Sequence, residues 1–191
     1  MSGTAIDNPY FDHVAGGVTV GSNRAGWNDK AVDLLEQREE LVETYSWAIP
    51  NAEAIATIVE HDPIIEVCAG GGYWARLVAD AGGEIIATDK DPVVGEGSWY
   101  PVWEAGVTDV LPGYPDRTLL LVWPPYDSSV ATQALGRYEG DTAIYVGEGR
   151  GGCTADDRFH QMLHEQWSLK ETVDIPTYLG IHDRLEVWAR D

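Results

Sequence analysis

The chain has 191 residues, 44% of them hydrophobic, which predicts one globular domain and argues against a disordered protein. It carries 32 acidic and 12 basic side chains, a formal net charge of −20 at pH 7. Acidic residues spread along a lysine-poor chain are typical of proteins adapted to high salt, where charge repulsion is screened. The alternative is an acidic surface that repels nucleic acid.

No run of residues approaches the roughly 18 apolar positions that a membrane-spanning helix needs, so no membrane partner is expected. Residues 1–12 lack the basic and apolar regions of a secretory signal, and we expect a cytoplasmic protein.

Cys68 and Cys153 form neither a zinc pattern nor a disulfide framework. His160 and His164 are four residues apart on one predicted helix but lack a third ligand, so no metal site is expected.

Residues 1–27 are rich in Gly, Asn and Asp and show no clear hydrophobic periodicity. They predict either a flexible arm or a lid that orders over a ligand, ahead of a single domain over residues 28–191. Apolar positions on one helical face predict a helix over residues 28–47. Asn51 is suited to cap a second helix that reaches about Glu60.

The next stretch has the order of the first half of a nucleotide-binding βαβ unit. A short apolar run at residues 64–67 leads into a glycine cluster at residues 68–72 and a helix-like segment. A second apolar run, residues 84–88, then ends in the acid Asp89. The glycines permit a tight turn and close approach of the backbone to a ligand. The acid lies where a ribose hydroxyl pair can be hydrogen-bonded.

More strands follow this unit. Residues 90–99 are a poor helix because they contain Pro and Gly, and residues 100–105 predict a third strand. Residues 118–123 are almost wholly apolar, as expected of a central parallel strand, and end abruptly in Pro124-Pro125-Tyr126-Asp127.

The last part of the chain predicts two helices and three strands. Ser128 or Ser129 is suited to cap a helix, and the strand at residues 142–146 leads into a glycine-rich loop. Residues 154–157 resemble a capping box at the start of the next helix. Two extended runs then follow with no helix between them, which predicts a terminal antiparallel hairpin; these runs are residues 169–175 and 184–189.

Two motifs resemble those of the class I S-adenosylmethionine-dependent methyltransferases. Glu66-Val67-Cys68-Ala69-Gly70-Gly71-Gly72 is similar to that family's acid, hydrophobic, Gly-x-Gly-x-Gly motif, with Cys68 at the first glycine position. Val122-Trp123-Pro124-Pro125-Tyr126 resembles the Asp/Asn-Pro-Pro-Tyr motif of the branch that methylates amino groups. The resemblance covers residues 49–191. It implies an α/β, three-layer αβα Rossmann-like methyltransferase fold with a mostly parallel seven-stranded sheet and a C-terminal antiparallel hairpin.

The chain also resembles a group of small bacterial and archaeal methyltransferase-like proteins without a defined substrate. The shared segments are Ile49-Pro50-Asn51, Trp123-Pro124-Pro125-Tyr126 and Gly180-Ile181-His182-Asp183-Arg184. Cys68 at the first glycine position indicates a turn that needs little positive φ there. A Cys68→Gly change is therefore expected to leave cofactor binding largely intact.

The resemblance implies that S-adenosyl-L-methionine binds across the carboxyl ends of the strands. Asp89 would accept hydrogen bonds from the ribose, and Glu104, or failing that Asp109, would address the adenine amine. Glu66 would fix the loop or contact the amino group of the methionine part. The residues that this reading assigns to the cofactor are Glu66, Cys68, Ala69, Gly70, Gly71, Gly72, Asp89, Lys90 and Glu104.

The acceptor side is assigned to Trp123, Pro124, Pro125 and Tyr126. In the amino-methylating branch, the Asp/Asn side chain and the carbonyl beside the first proline accept the amine hydrogens, and the tyrosine stacks on a planar target. Indole has one donor and no acceptor, so Trp123 cannot replace the Asp/Asn side chain as one of the two acceptors. This argues against adenine or glutamine as the target. Trp123 either stacks on a flat or cationic group or closes the core.

Other residues have open roles. Glu148 follows a predicted strand and could act as a base, whereas His182 is better suited to a structural hydrogen bond. Tyr45 and Trp47 either wall the cofactor pocket or pack in the core.

The sequence favours a methyltransferase whose acceptor is an unidentified amine of a base, side chain or small molecule. The alternative is a catalytically degenerate S-adenosylmethionine-binding module with a regulatory role. A nicotinamide-dependent oxidoreductase is disfavoured because Gly70-Gly71-Gly72 lacks the Gly-x-Gly-x-x-Gly spacing. No basic patch supports nucleic acid as the substrate, although a partner could supply recognition.

Overall fold

The structure is a computed structural model that describes residues 6–21 and 28–191. Helices and strands alternate along most of these residues. The helices are α1 (Pro9–Val14), α2 (Asp29–Thr44), α3 (Ala52–Glu60), α4 (Tyr73–Asp80), α5 (Val107–Val110), α6 (Val130–Arg137) and α7 (Asp157–Gln166). The strands are β1 (Thr19–Val20), β2 (Ile64–Val67), β3 (Ile85–Asp89), β4 (Val102–Glu104), β5 (Thr118–Val122), β6 (Thr142–Gly147), β7 (Trp167–Asp174), β8 (Pro176–Thr177) and β9 (Arg184–Arg190).

Seven strands form one sheet in the order β4-β3-β2-β5-β6-β9-β7. The five strands from β4 to β6 are parallel, while β9 runs antiparallel to β6 and β7 antiparallel to β9. The predicted Rossmann-like fold class and terminal hairpin are confirmed. Because β3 and β4 lie on one side of β2 and β5 lies on the other, the strand order switches between β2 and β5, where ligands of such sheets bind.

The central strands are apolar on both sides because helices cover both faces of the sheet. Ile64 and Leu120 pack in the cluster that contains α1 to α4, whereas Ile65 and Leu119 pack in the cluster that contains α5 to α7. Side chains alternate between faces along a strand, so neighbouring residues enter opposite clusters. The result is the predicted three-layer arrangement.

The N-terminal segment contributes to this core. Tyr10 and Val14 of α1 are fully buried, and Asn8 caps the helix by accepting from the Phe11 amide. Strand β1 pairs with β8 in a small second sheet. Within the arm or lid predicted for residues 1–27, α1 and β1 thus pack against the domain, and the rest of that prediction, at residues 1–5 and 22–27, lies outside the described residues.

Two predicted helix boundaries were wrong. Helix α2 ends at Thr44 rather than at residue 47, since Tyr45 leaves the helical conformation with φ −116° and ψ −81°; the Thr44 carbonyl then accepts from the Trp99 indole at 2.7 Å. Helix α7 is capped by Asp156, which accepts from the Phe159 amide, and not by a box that starts at Thr154. The Thr154 hydroxyl is instead bonded to Tyr145.

Across residues 6–21 and 28–191, none of the helices combines the length and the apolar character that crossing a bilayer requires.

Candidate functional site

A cavity of about 260 Å³ lies at the carboxyl ends of β2 and β5, where the strand order switches. Glu66 and the glycine loop after β2 form one wall, and Trp123, directly after β5, forms part of another. Tyr45 and Trp47, predicted as pocket walls or core residues, both line it. The predicted cofactor loop and the first residue of the predicted acceptor motif thus share one cavity.

The glycines of the loop serve two different purposes. Gly70 provides a left-handed backbone conformation, with φ +56°, and space is not its role because a methyl group there would meet open space. Gly71 has no such φ, but a Cβ on it would lie 2.6 Å from the carbonyl oxygen of Gly97. The Trp99 amide also donates to the Gly71 carbonyl at 2.7 Å. The segment after β3 is therefore pressed against the loop, and only glycine allows this approach.

Cys68 corrects the prediction for the loop's first position. Its φ is +59°, in the left-handed region, so the turn does require a positive φ there. Trp123, at the end of the neighbouring strand β5, is also left-handed, with φ +50°. Two strained non-glycine residues at the edges of one cavity are a pattern that functional sites often show.

Replacing Cys68 by glycine is expected to stabilise the protein by up to about 1 kcal/mol, because glycine adopts this conformation without steric cost. A thermal unfolding scan against the wild type measures the gain. A lower unfolding midpoint would show that contacts of the thiol outweigh the backbone strain.

Glu66 is the most unusual group in the cavity wall. It is 2% exposed, and its Oε2 has no hydrogen-bond partner among the described residues. Burial raises the pKa of Glu66 to about 8, with a further increase from the Asp89 carboxylate and an opposing effect from the Ala75 backbone. The side chain is therefore mostly protonated at neutral pH, until a cation in the cavity favours its ionised form.

The raised pKa makes folding stability depend on pH. A carboxyl with a folded-state pKa near 8 and an unfolded value near 4.5 stabilises fully below about pH 4.5, and this contribution is lost as the pH rises towards 8. The wild type loses this free energy of unfolding as the pH rises, but Glu66→Gln does not. From about pH 5 to pH 7 in molar KCl, the stability of Glu66→Gln relative to the wild type should therefore increase by on the order of 2 kcal/mol. Urea unfolding at both pH values checks this, and an unchanged difference would contradict a buried neutral carboxyl.

Asp89 fastens the loop to the sheet. Its Oδ2 accepts from the Gly70 amide and its Oδ1 from the Asp91 amide, both at 2.9 Å. Glu104 is its register partner on β4, so these two carboxylates end neighbouring strands, while Lys90 is exposed beside them. The predicted ribose and adenine contacts remain predictions, with both acids at the expected edge.

Trp123 packs on groups of the chain itself. Its ring stacks on Trp47 at a centroid distance of 4.7 Å, and the Arg38 guanidinium lies 5.8 Å from its centroid. Its Nε1–H donates to Oδ2 of Asp183 at 2.8 Å. These contacts lie within the chain, so the stacking of this indole on a flat or cationic acceptor stays a prediction.

The rest of the acceptor motif is only partly free. The Pro124 carbonyl, predicted to accept an amine hydrogen, already accepts from the Ala155 amide at 2.7 Å. Pro125 forms an isolated antiparallel β-bridge with Thr154, the residue before Ala155. Tyr126 is 62% exposed and available for stacking.

Glu148 does not suit the role of a base. Its carboxylate accepts from the amide and Sγ of Cys153 and from the amide and Nδ1 of His182. Burial opposes ionisation, but these bonds outweigh it and lower the pKa of Glu148. Glu148 is therefore an ionised side chain that connects the loop of Cys153 to the loop of His182. His182 has the structural role expected for it.

The sequence reasoning missed Asp183, which appeared only as part of the Gly-Ile-His-Asp-Arg segment. Asp183 is 7% exposed, and its Oδ1 has no partner among the described residues. Burial raises its pKa to about 7, and its bond to the Trp123 indole opposes the rise. The sequence signal was the indole that lacks an acceptor, since a buried N–H requires a partner.

Histidine and cysteine side chains do not gather into a metal site in the described residues. His160 instead contacts the Thr154 carbonyl through Nε2 at 3.0 Å.

Comparison with known proteins gives one similar sequence and several similar structures. No family model matches the chain. Protein-L-isoaspartate O-methyltransferase of Methanoculleus marisnigri is 30% identical over 84 residues, which cover 40% of this chain. The alignment spans only 36% of that relative's length.

Two solved methyltransferases share the architecture. The 1,6-didemethyltoxoflavin-N1-methyltransferase of Burkholderia thailandensis, solved with its substrate and S-adenosylhomocysteine, has a TM-score of 0.52 at 12% identity, over 84% of this chain and 86% of its own. The mitomycin 7-O-methyltransferase has a TM-score of 0.50 at 13% identity, over 86% of this chain and 59% of its own. Together with the strand order and the terminal hairpin, these likenesses show that the chain has the Rossmann-like fold of the class I methyltransferases.

Proposed function

We propose that this protein is an S-adenosylmethionine-dependent methyltransferase whose cofactor binds in the cavity at the β2–β5 switch. The observation that carries the proposal is the unpartnered Oε2 of Glu66 in the wall of that cavity. A buried carboxylate requires a compensating partner, and the cofactor's methionine ammonium is one. The fold and the acidic strand ends support the same site.

The residues present fit this group. Glu66 would hold the ammonium, the backbone of residues 68–71 would lie along the methionine part, and Asp89 and Glu104 would address the ribose and the adenine. When bound, the cofactor supplies a methyl group on a positively charged sulfur. The enzyme's part is to aim an acceptor lone pair at that methyl group, and alignment alone is worth up to roughly 7–11 kcal/mol.

The comparisons support the proposal without identifying the acceptor. A protein of the same architecture binds S-adenosylhomocysteine, and the relative with 30% identity is named as a methyltransferase. The acceptors in the names of these proteins differ from one another.

A degenerate cofactor-binding module is the second candidate, and Trp123 and the engaged Pro124 carbonyl favour it. The two candidates differ in turnover. Release of S-adenosylhomocysteine, measured in molar KCl with panels of amines, DNA and RNA, supports the enzyme. Saturable cofactor binding without any release across these panels would support the module instead.

A further inference from the structure

A carboxylate that no part of the motif predicts lies beside the cavity, bonded to Trp123 of the cavity wall. Asp183 lies in the connection from β8 to β9, directly before β9, and its Oδ2 accepts the Trp123 indole N–H at 2.8 Å. Trp123 itself stands where the amino-methylating branch carries Asp or Asn. The indole thus places a carboxylate next to a position whose side chain can donate but not accept.

One oxygen of this carboxylate is not used. Oδ1 of Asp183 is buried without a hydrogen-bond partner among the described residues. A second indole–carboxylate pair in the chain shows the contrast. Trp188 donates to Oε2 of Glu186 at 3.1 Å, but Oε1 of Glu186 also accepts from Arg184. Of these two pairs, the one beside the cavity keeps an oxygen without a partner among the described residues, and a buried oxygen without a partner is costly unless a ligand bonds to it.

Trp123 and the Arg38 guanidinium are neighbours of Asp183. The guanidinium of Arg38 lies 5.3 Å from the centroid of Trp47, 5.8 Å from that of Trp123 and 5.5 Å from that of Tyr178. Aromatic faces that hold one guanidinium are also suited to contact an amine or guanidine group of a ligand.

We propose that the methyl acceptor carries an amine or guanidine N–H, and that Asp183, held in place by Trp123, is the carboxylate that receives its hydrogen. The role in transfer rests on the proposed function. As the nitrogen–carbon bond forms and the carbon–sulfur bond of the methyl donor breaks, the proton lost by nitrogen passes to Oδ1 of Asp183 and then to solvent. Asp183 thereby supplies the side-chain acceptor that Trp123 lacks.

The test detects the site without the cofactor. Methylammonium or methylguanidinium chloride is titrated into the protein at constant ionic strength, and the ¹⁵N–¹H indole signal of Trp123, assigned with Trp123→Phe, is followed. A saturable shift is expected in the wild type and in the matched control Glu186→Gln. Asp183→Asn should weaken the apparent affinity by roughly 10-fold or more, since a charge-assisted bond is lost.

The wild type alone gives a second measurement, in case Asp183→Asn does not fold. The charged or titratable groups around Asp183 are Arg38 from α2, Tyr145 of β6, Glu148 and Cys153 after β6, and the adjacent His182, and burial is the main cause of its raised pKa. Because only the ionised carboxylate attracts the probe, the affinity should rise between about pH 6 and pH 8.

The outcomes separate the two proposals. An equal shift in Asp183→Asn, or a wild-type shift no larger than that caused by KCl, would overturn the assignment of Asp183. A probe shift that depends on Asp183 in a protein that binds no S-adenosylmethionine would instead leave the cation site in place and remove the methyltransferase proposal.

Discussion

Replacing Glu66 by glutamine is expected to weaken S-adenosylmethionine binding by roughly 10- to 100-fold, the worth of a charge-assisted hydrogen bond in a buried site. Glutamine has nearly the same shape, so the cavity keeps its form while the negative charge is lost. Equilibrium binding in molar KCl measures the change, with a far-ultraviolet circular dichroism spectrum as the control for folding. Equal affinities would show that Oε2 of Glu66 does not face the ligand.

The same variant carries a second, independent signature. The pKa of Glu66 is raised to about 8 by burial, so at pH 7 the free protein holds this proton. A bound ammonium favours the ionised carboxylate, and binding should therefore release close to one proton from the wild type and none from Glu66→Gln. Titration calorimetry in two buffers of different ionisation enthalpy counts the protons. Affinity in the wild type should rise with pH for the same reason.

Replacing Gly71 by alanine is expected to destabilise the protein by about 2 kcal/mol and to abolish measurable cofactor binding. The new Cβ would lie 2.6 Å from the Gly97 carbonyl oxygen, and the Trp99 amide that bonds Gly71 would move with it. Chemical unfolding and equilibrium binding measure the two effects.

A matched control comes from Gly113, which has no positive φ and has open space where its Cβ would be. Gly113→Ala adds the same methyl group and should leave stability and binding within error of the wild type. If Gly71→Ala behaves like this control, the packing of residues 93–99 against the loop does not restrict the loop.

Local patterns, together with the family resemblance, were enough to predict the fold and the edge of the sheet at which the cavity lies. The apolar runs of β2 and β5, the glycine loop after Val67 and the terminal hairpin are all visible over a few residues. Strand order then follows from the family resemblance and places the carboxyl ends of β2 and β5 together. The strands, the glycine loop and the hairpin depend on short-range patterns, and the structure confirms them.

The missed features depend on contacts between distant segments. Asp183 meets Trp123 across 60 residues, and Glu148 is bound by His182 across 34 residues, so neither partnership has a local signal. The left-handed φ of Cys68 was mispredicted because non-glycine residues rarely adopt a positive φ, so a cysteine at that position favoured a negative φ. The structure places a strained residue there instead.

Titration calorimetry of the folded wild-type protein with S-adenosylmethionine, near neutral pH in molar KCl, tests the central proposal most directly. The account predicts saturable one-to-one binding, accompanied by release of a proton that Glu66→Gln does not release. Absence of binding by folded protein under these conditions would contradict the proposal that this cavity is a cofactor site.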